Sequence, residues 1–98
     1  MTQTIKNNRD ANEREIIEAL RRVGCVVWQM DRTAGFDLLV ICPPGDVEIV
    51  EVKNPARKWK LTDAEQKRKD EVESVGGVYW VVEDVEDCLE VAYHVRKI

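Results

Sequence analysis

The sequence predicts a single α/β domain built on a mixed sheet, and three observations predict it. Apolar residues recur at helical spacing in three segments: Ile16, Ile17, Leu20 and Val23; Ala64, Val72 and Val75; and Val85, Cys88, Leu89 and Ala92. Between them lie short runs rich in valine, isoleucine and aromatic residues, which suit strands. Two of those runs, Leu38–Cys42 and Val47–Lys53, flank a Pro43-Pro44-Gly45-Asp46 turn and read as an antiparallel hairpin. The order is helix, strand, strand, strand, helix, strand, helix, an alternation that layers helices on a sheet.

The 98 residues suit one domain, 1–98, with one modest core. Hydrophobic residues make up 44% and charged residues 35%, a soluble globular balance with a charged surface. No apolar run approaches the ~18 residues of a membrane helix. Met1-Thr2-Gln3-Thr4 lacks signal-peptide character, so a cytoplasmic protein without a membrane partner is expected. Cys25, Cys42 and Cys88 lack metal spacing and read as small buried hydrophobes in a reducing compartment. The net charge of −4 argues against a surface that grips nucleic acid everywhere. The charge is uneven, however. Lys53 to Thr62 holds four basic residues and no acid, and Glu83 to Glu90 holds five acids and no base. A local polyanion site on an acidic protein fits this asymmetry.

Residues 1–10 are polar and expected to be flexible. Asp10 or Asn12 can cap a first helix running to about Val23, with Gly24 as its C-terminal cap. Glu13 falls at the edge of its buried face. The simple reading makes Glu13 a first-turn acid favoured by the helix dipole. Cys25–Trp28 is a short strand, followed by a polar loop to Gly35 that carries Asp31 and Arg32. Leu38–Cys42 is apolar throughout, as in a central strand buried on both faces. Along the next strand, Glu51 and Lys53 share a face with Val47 and Ile49. Asn54-Pro55 stops that strand, and a basic loop follows. Thr62-Asp63-Ala64-Glu65 fits a capping box opening a second helix, whose inner side would use Ala64, Val72, Val75 and the stem of Arg68. Val78–Val82 is a buried strand, and a last helix runs from about Val85 to His94. Trp28 and Trp80 sit in strands and are expected in the core. Trp59, between Lys58 and Lys60, suits base stacking or a subunit interface. His94 has no partner for base catalysis and is expected at the surface or an interface.

An antiparallel pair places the start of one strand beside the end of the next. Asp37, Glu51 and Lys53 are therefore expected to cluster. Two neighbouring carboxylates repel unless a cation or a proton lies between them. Oxygen-only ligation suits Mg²⁺ or Mn²⁺ rather than zinc. The Val52 carbonyl could add an oxygen, and Glu13 could contribute directly or through water. Lys53 could position or deprotonate a nucleophile, or offset charge on a phosphoryl group. Gln66, in the first turn of its helix, could orient the water or a phosphate. Arg57, Lys58 and Lys60 could hold phosphates. The bland reading is a salt bridge at a strand end.

These residues resemble the PD-(D/E)xK nuclease superfamily, through Asp37, Glu51-Val52-Lys53 and the helix–strand–hairpin order. Within it the chain is similar to the stand-alone VRR-NUC nucleases, related to Holliday-junction resolvases. Glu13-Arg14, with Gly24 eleven residues after the glutamate, resembles the resolvases' first helix, whose glutamate helps hold the metal. Gly35-Phe36-Asp37 resembles the family's strand start, with Phe36 in the usual proline position. Leu61-Thr62-Asp63-Ala64-Glu65-Gln66 resembles its Leu-Ser-x-x-Gln helix start, with Gln66 one place later than that spacing. Gly76-Gly77-Val78-Tyr79-Trp80-Val81-Val82 resembles the following Gly-x-x-Tyr-Val-Val strand. The likeness spans roughly Asn12 to Leu89.

The resemblance implies a restriction-endonuclease-like fold, with a mixed central sheet flanked by helices. It also implies divalent-metal cleavage of DNA, with branched or flapped duplexes as substrates, and often a homodimer. Stand-alone members are often phage-encoded. The expected homodimer would use Trp59 and the valines of the last strand and helix. The alternative is a non-catalytic module of nuclease-like fold, binding DNA or docking a basic partner on the acidic stretch Glu83 to Glu90.

Overall fold

The computed structural model of the chain describes the backbone of residues 3–97 and the side chains of residues 12–93. Helix α1 spans Gln3–Arg22, strand β1 Val26–Gln29, β2 Leu38–Cys42, β3 Asp46–Val52, α2 Asp63–Ser74, β4 Tyr79–Val82 and α3 Val85–Lys97. A short 3₁₀ turn, Arg32–Ala34, lies between β1 and β2. The element order is the one expected. The first helix, however, starts at Gln3 rather than at Asp10 or Asn12. The stretch from Gln3 to Asn12 holds no proline or glycine, so nothing in it halts the helix upstream. The expected flexibility of residues 1–10 and the placing of His94 lie outside the described side chains.

The four strands lie in the order β1-β2-β3-β4. The first two pairings are antiparallel and β3–β4 is parallel, so the sheet is mixed. Parallel neighbours need a crossover, and the segment containing α2 provides it. Helices α1 and α3 bury one face of the sheet. Ile16, Ile17 and Leu20 of α1 meet Val27, Leu38, Val40, Val50 and Val82 of the sheet and Cys88, Val91 and Ala92 of α3. Gly24, at φ 99°, closes α1: its N–H donates to Arg21 at 3.0 Å, and the N–H of Cys25 donates to Leu20 at 3.0 Å. The cysteines are buried, as expected. Cys25 and Cys42 are cross-strand neighbours whose sulfurs lie 2.8 Å apart, and burial pushes the Cys88 thiol up to about 12.

The opposite face of the sheet is covered only in part, and this alters three expectations. Leu39 and Ile41 are half-buried, so β2 is fully enclosed on one side only. Trp28, on edge strand β1, is 55% exposed rather than in the core. It alternates with Val27, whose side chain takes the α1 side, so Trp28 points to the other, partly covered side. Trp80 does pack against the core. Helix α2 has no fully buried residue: Ala64 is exposed and Val75 is 85% exposed at its C-cap. Its contact with the body runs instead through Arg68, which donates to the Ala34 carbonyl, and through its N-terminal turn, where Glu65 meets Lys53. In keeping with its weak amphipathicity, it is held by polar contacts.

Candidate active site

Strand alternation sends Val50 and Val52 to the α1 side and Glu51 and Lys53 to the α2 side. Asp37 enters β2 directly opposite. Its N–H donates to the Val50 carbonyl at 3.1 Å, and its Oδ2 accepts from the Val52 N–H at 2.8 Å. The hairpin register thus fixes the Asp37 carboxylate beside Glu51. Both line a cleft of about 470 Å³, with Arg32, Gly35, Phe36, Thr62, Ala64 and Glu65 completing its wall.

Lys53 bridges two carboxylates. Its Nζ lies 2.8 Å from Glu65 Oε1 and 3.4 Å from Glu51 Oε2. The same Glu65 oxygen accepts from the Thr62 N–H at 2.9 Å, while Thr62 Oγ1 accepts from the Glu65 N–H at 3.2 Å. The capping box is therefore complete, and its glutamate is also part of the site. Burial raises the Glu65 carboxyl, but the bonds from Lys53 and Thr62 outweigh it and leave the group lowered. For Lys53, burial acts downward, and the bond to Glu65 and the charge of Glu51 overcome it. Its pKa is raised and it stays an ammonium.

Glu51 is only 3% exposed, and its Oε1 has no hydrogen-bond partner among the described residues. Burial first, then the charge of Asp37 and the proximity of Glu65, push its carboxyl up to about 9 against the pull of Lys53. A buried carboxylate oxygen with no partner, beside a second carboxylate, is what a hard cation would satisfy. Among the described residues no three His, Cys, Asp or Glu side chains are grouped to hold a metal by themselves. Mg²⁺ asks for no such cage, since it keeps waters and is held through one or two carboxylates plus substrate oxygens. The donor set of Asp37 and Glu51 fits that ion.

The other expected site residues divide. Glu13 is buried at 2% exposure, but on the α1 side, where its Oε2 accepts from Gln29 at 3.2 Å. It does not line the cleft. Asn12, its neighbour, donates to the Lys53 carbonyl at 3.1 Å, which ties α1 to the end of β3. Arg57, Lys58, Trp59 and Lys60 are exposed on the loop leaving β3. The Trp59 indole N–H donates to Glu83 at 2.7 Å, anchoring that loop to the end of β4. Gln66 is turned out of the site. Its amide donates to Asp70 at 2.9 Å, in a shallow depression formed by α2 itself. Each helical residue advances about 100°, so the position before Gln66 faces the cleft instead.

No protein-family model matches the sequence, and no curated protein matches it. A solved structure described as a "VRR_NUC domain" superposes with a TM-score of 0.66, covering 84% of this chain and 90% of that one at 23% identity. The fold is that of a VRR-NUC domain. It is a restriction-endonuclease-like arrangement, a mixed sheet flanked by helices, as the residues led one to expect. Against the VRR-NUC helix start Leu-Ser-x-x-Gln, the fifth position in this chain is Glu65, not Gln66. That spacing points to Glu65, whereas matching by residue type points to Gln66, one place further on. Among the described residues no helix is long and apolar enough to cross a membrane.

Proposed function

We propose that this chain is a divalent-metal-dependent endonuclease that hydrolyses DNA phosphodiester bonds, with branched or flapped duplexes as its substrates. The observation behind this reading is the buried, unpartnered Glu51 Oε1 beside Asp37 in the wall of a cleft, with the Lys53 ammonium 3.4 Å from Oε2 of the same carboxylate. Asp37 and Glu51 would hold Mg²⁺ or Mn²⁺, with the Val52 carbonyl as a further oxygen and Glu13 adding negative charge from α1. The bound ion supplies Lewis-acid stabilisation of charge on a phosphoryl oxygen.

The chain's own residues do the rest. Asp37 is aimed by the Val52 N–H, so its orientation is set by the sheet rather than by a free rotamer. Lys53 is cationic, so it serves to orient a phosphate oxygen and offset the charge that grows there, not to remove a proton. Glu65 holds Lys53 in place from the rigid first turn of α2. Gln66 is left with no role at the reacting centre. Arg57, Lys58 and Lys60, on the loop pinned by Trp59, bind backbone phosphates and set the DNA's position. Two such domains acting as a homodimer would offer paired sites to the arms of a branched duplex.

The test incubates purified protein with labelled junction, flap and linear duplexes in Mg²⁺, Mn²⁺ or EDTA. Cleavage is expected with metal, at branched substrates first, and Lys53→Ala should cut at least roughly tenfold more slowly while staying folded. Equal cutting by Lys53→Ala would remove the mechanism. No cutting of any substrate with either metal would favour the non-catalytic module.

A further inference from the structure

The turn between β1 and β2 is held more firmly than a surface connection requires. Asp31 Oδ1 accepts from the Thr33 N–H at 2.9 Å, and the bond from the Thr33 hydroxyl keeps the Asp31 carboxyl below its usual range. The Ala34 carbonyl accepts from Arg68 Nε at 2.8 Å, and the Gly35 carbonyl accepts from the Tyr79 hydroxyl at 2.6 Å. Gly35 sits at φ 80°, and a Cβ there would lie 3.0 Å from Arg68 Cβ and 3.2 Å from the Ala64 carbonyl oxygen. Helix α2 and strand β4 thus fix this turn immediately before Asp37.

What the rigid turn presents is Arg32. Its side chain is exposed, and it alone is cationic among the described residues that line the cleft of Asp37 and Glu51. Among the described residues, no carboxylate or carbonyl is paired with its guanidinium. An unpaired arginine on an immobilised turn adds little to stability, but it is pre-organised to bind an anion. We infer that Arg32 forms a phosphate-binding subsite, holding the non-bridging oxygens of a backbone phosphodiester next to the scissile one. This rests on the nuclease reading above. The basic loop leaves the end of β3 and Arg32 precedes the start of β2, so the two flank the carboxylates and bracket a nucleic-acid strand between cations.

The experiment measures binding of labelled junction and duplex DNA by anisotropy in EDTA across a salt series, and cleavage in Mg²⁺ or Mn²⁺. Arg32→Gln should keep the wild-type melting temperature, bind DNA roughly tenfold more weakly, and lower the slope of log K against log salt by about one. Arg32→Lys should keep the salt slope yet recover only part of the affinity, because an ammonium lacks the bidentate fork. Lys67→Gln, which changes net charge equally on the outward side of α2 beside Gln66 and Asp70, serves as the control and should bind as wild type. Wild-type affinity and slope in Arg32→Gln, with wild type still cutting, would overturn the subsite and leave the nuclease reading standing. An equal loss in Lys67→Gln would assign the effect to net charge and also overturn it. A wild-type protein that neither binds nor cuts DNA would overturn both.

Discussion

Replacing Glu51 by glutamine is expected to make the metal-free protein more stable while abolishing cleavage. The folded protein keeps a proton on Glu51 up to about 9, whereas an ordinary glutamate releases it at 4.5. Between those values the native state holds one proton more than the unfolded state, so stability falls as pH rises. It is greatest below the unfolded value and stops falling above the folded one. The slope is about 1.4 kcal/mol per pH unit. At pH 7, about 2.5 units above the ordinary value, the carboxyl therefore costs on the order of 3 kcal/mol. Glutamine keeps the shape and has nothing to ionise, and its amide can donate toward Asp37 or Glu65. In a domain of this size each kcal/mol moves Tm by roughly 4–8 °C, so a gain of about 10 °C or more is expected at pH 7. Thermal unfolding in EDTA at about pH 5, 7 and 8.5 provides the assay. Wild type should lose stability across the series, Glu51→Gln should stay nearly level, and the two should approach each other at the acid end. A variant less stable than wild type at pH 7, or two profiles running parallel, would refute the reasoning.

Four further outcomes follow from the same geometry. Titration calorimetry should show Mg²⁺ or Mn²⁺ binding that drops sharply in Asp37→Ala, and unchanged binding in a folded variant would remove Asp37 as a ligand. Glu65→Ala should cost about 1–2 kcal/mol by breaking the reciprocal cap, and should also slow cleavage. Gln66→Ala should stay within about 0.5 kcal/mol of wild type and cut normally, so the reverse ranking would return the role to Gln66. Tyr79→Phe leaves the Gly35 carbonyl without its donor, and urea unfolding should show a loss of about 1–2 kcal/mol.

The local features of the chain were legible because they depend on neighbours in sequence. Thr62 and Glu65 are three residues apart, and a capping box needs no more than that spacing. The hairpin reads from its two apolar runs and the turn between them, and its register then brings Asp37 to Glu51. The exposure of Trp28 is not legible in the sequence, for the complementary reason. A strand tryptophan is buried only if something lies over its face, and whether α2 reaches across to β1 is not written in the residues of β1.

The sequence by itself therefore determined the order of elements, the mixed sheet they build, and the meeting of Asp37, Glu51 and Lys53, since alternation and hairpin pairing are short-range geometry. Only the tertiary structure decided which residue of α2 turns inward. That choice depends on the helix's rotation about its axis, set by the docking of Arg68 on Ala34 and the approach of Ala64 to Gly35. The same docking fixed the turn that carries Arg32 and left Glu51 buried beside two other carboxylates. Burial and charge proximity belong to three-dimensional packing, and they are what turn a common Glu-x-Lys pattern into a candidate site.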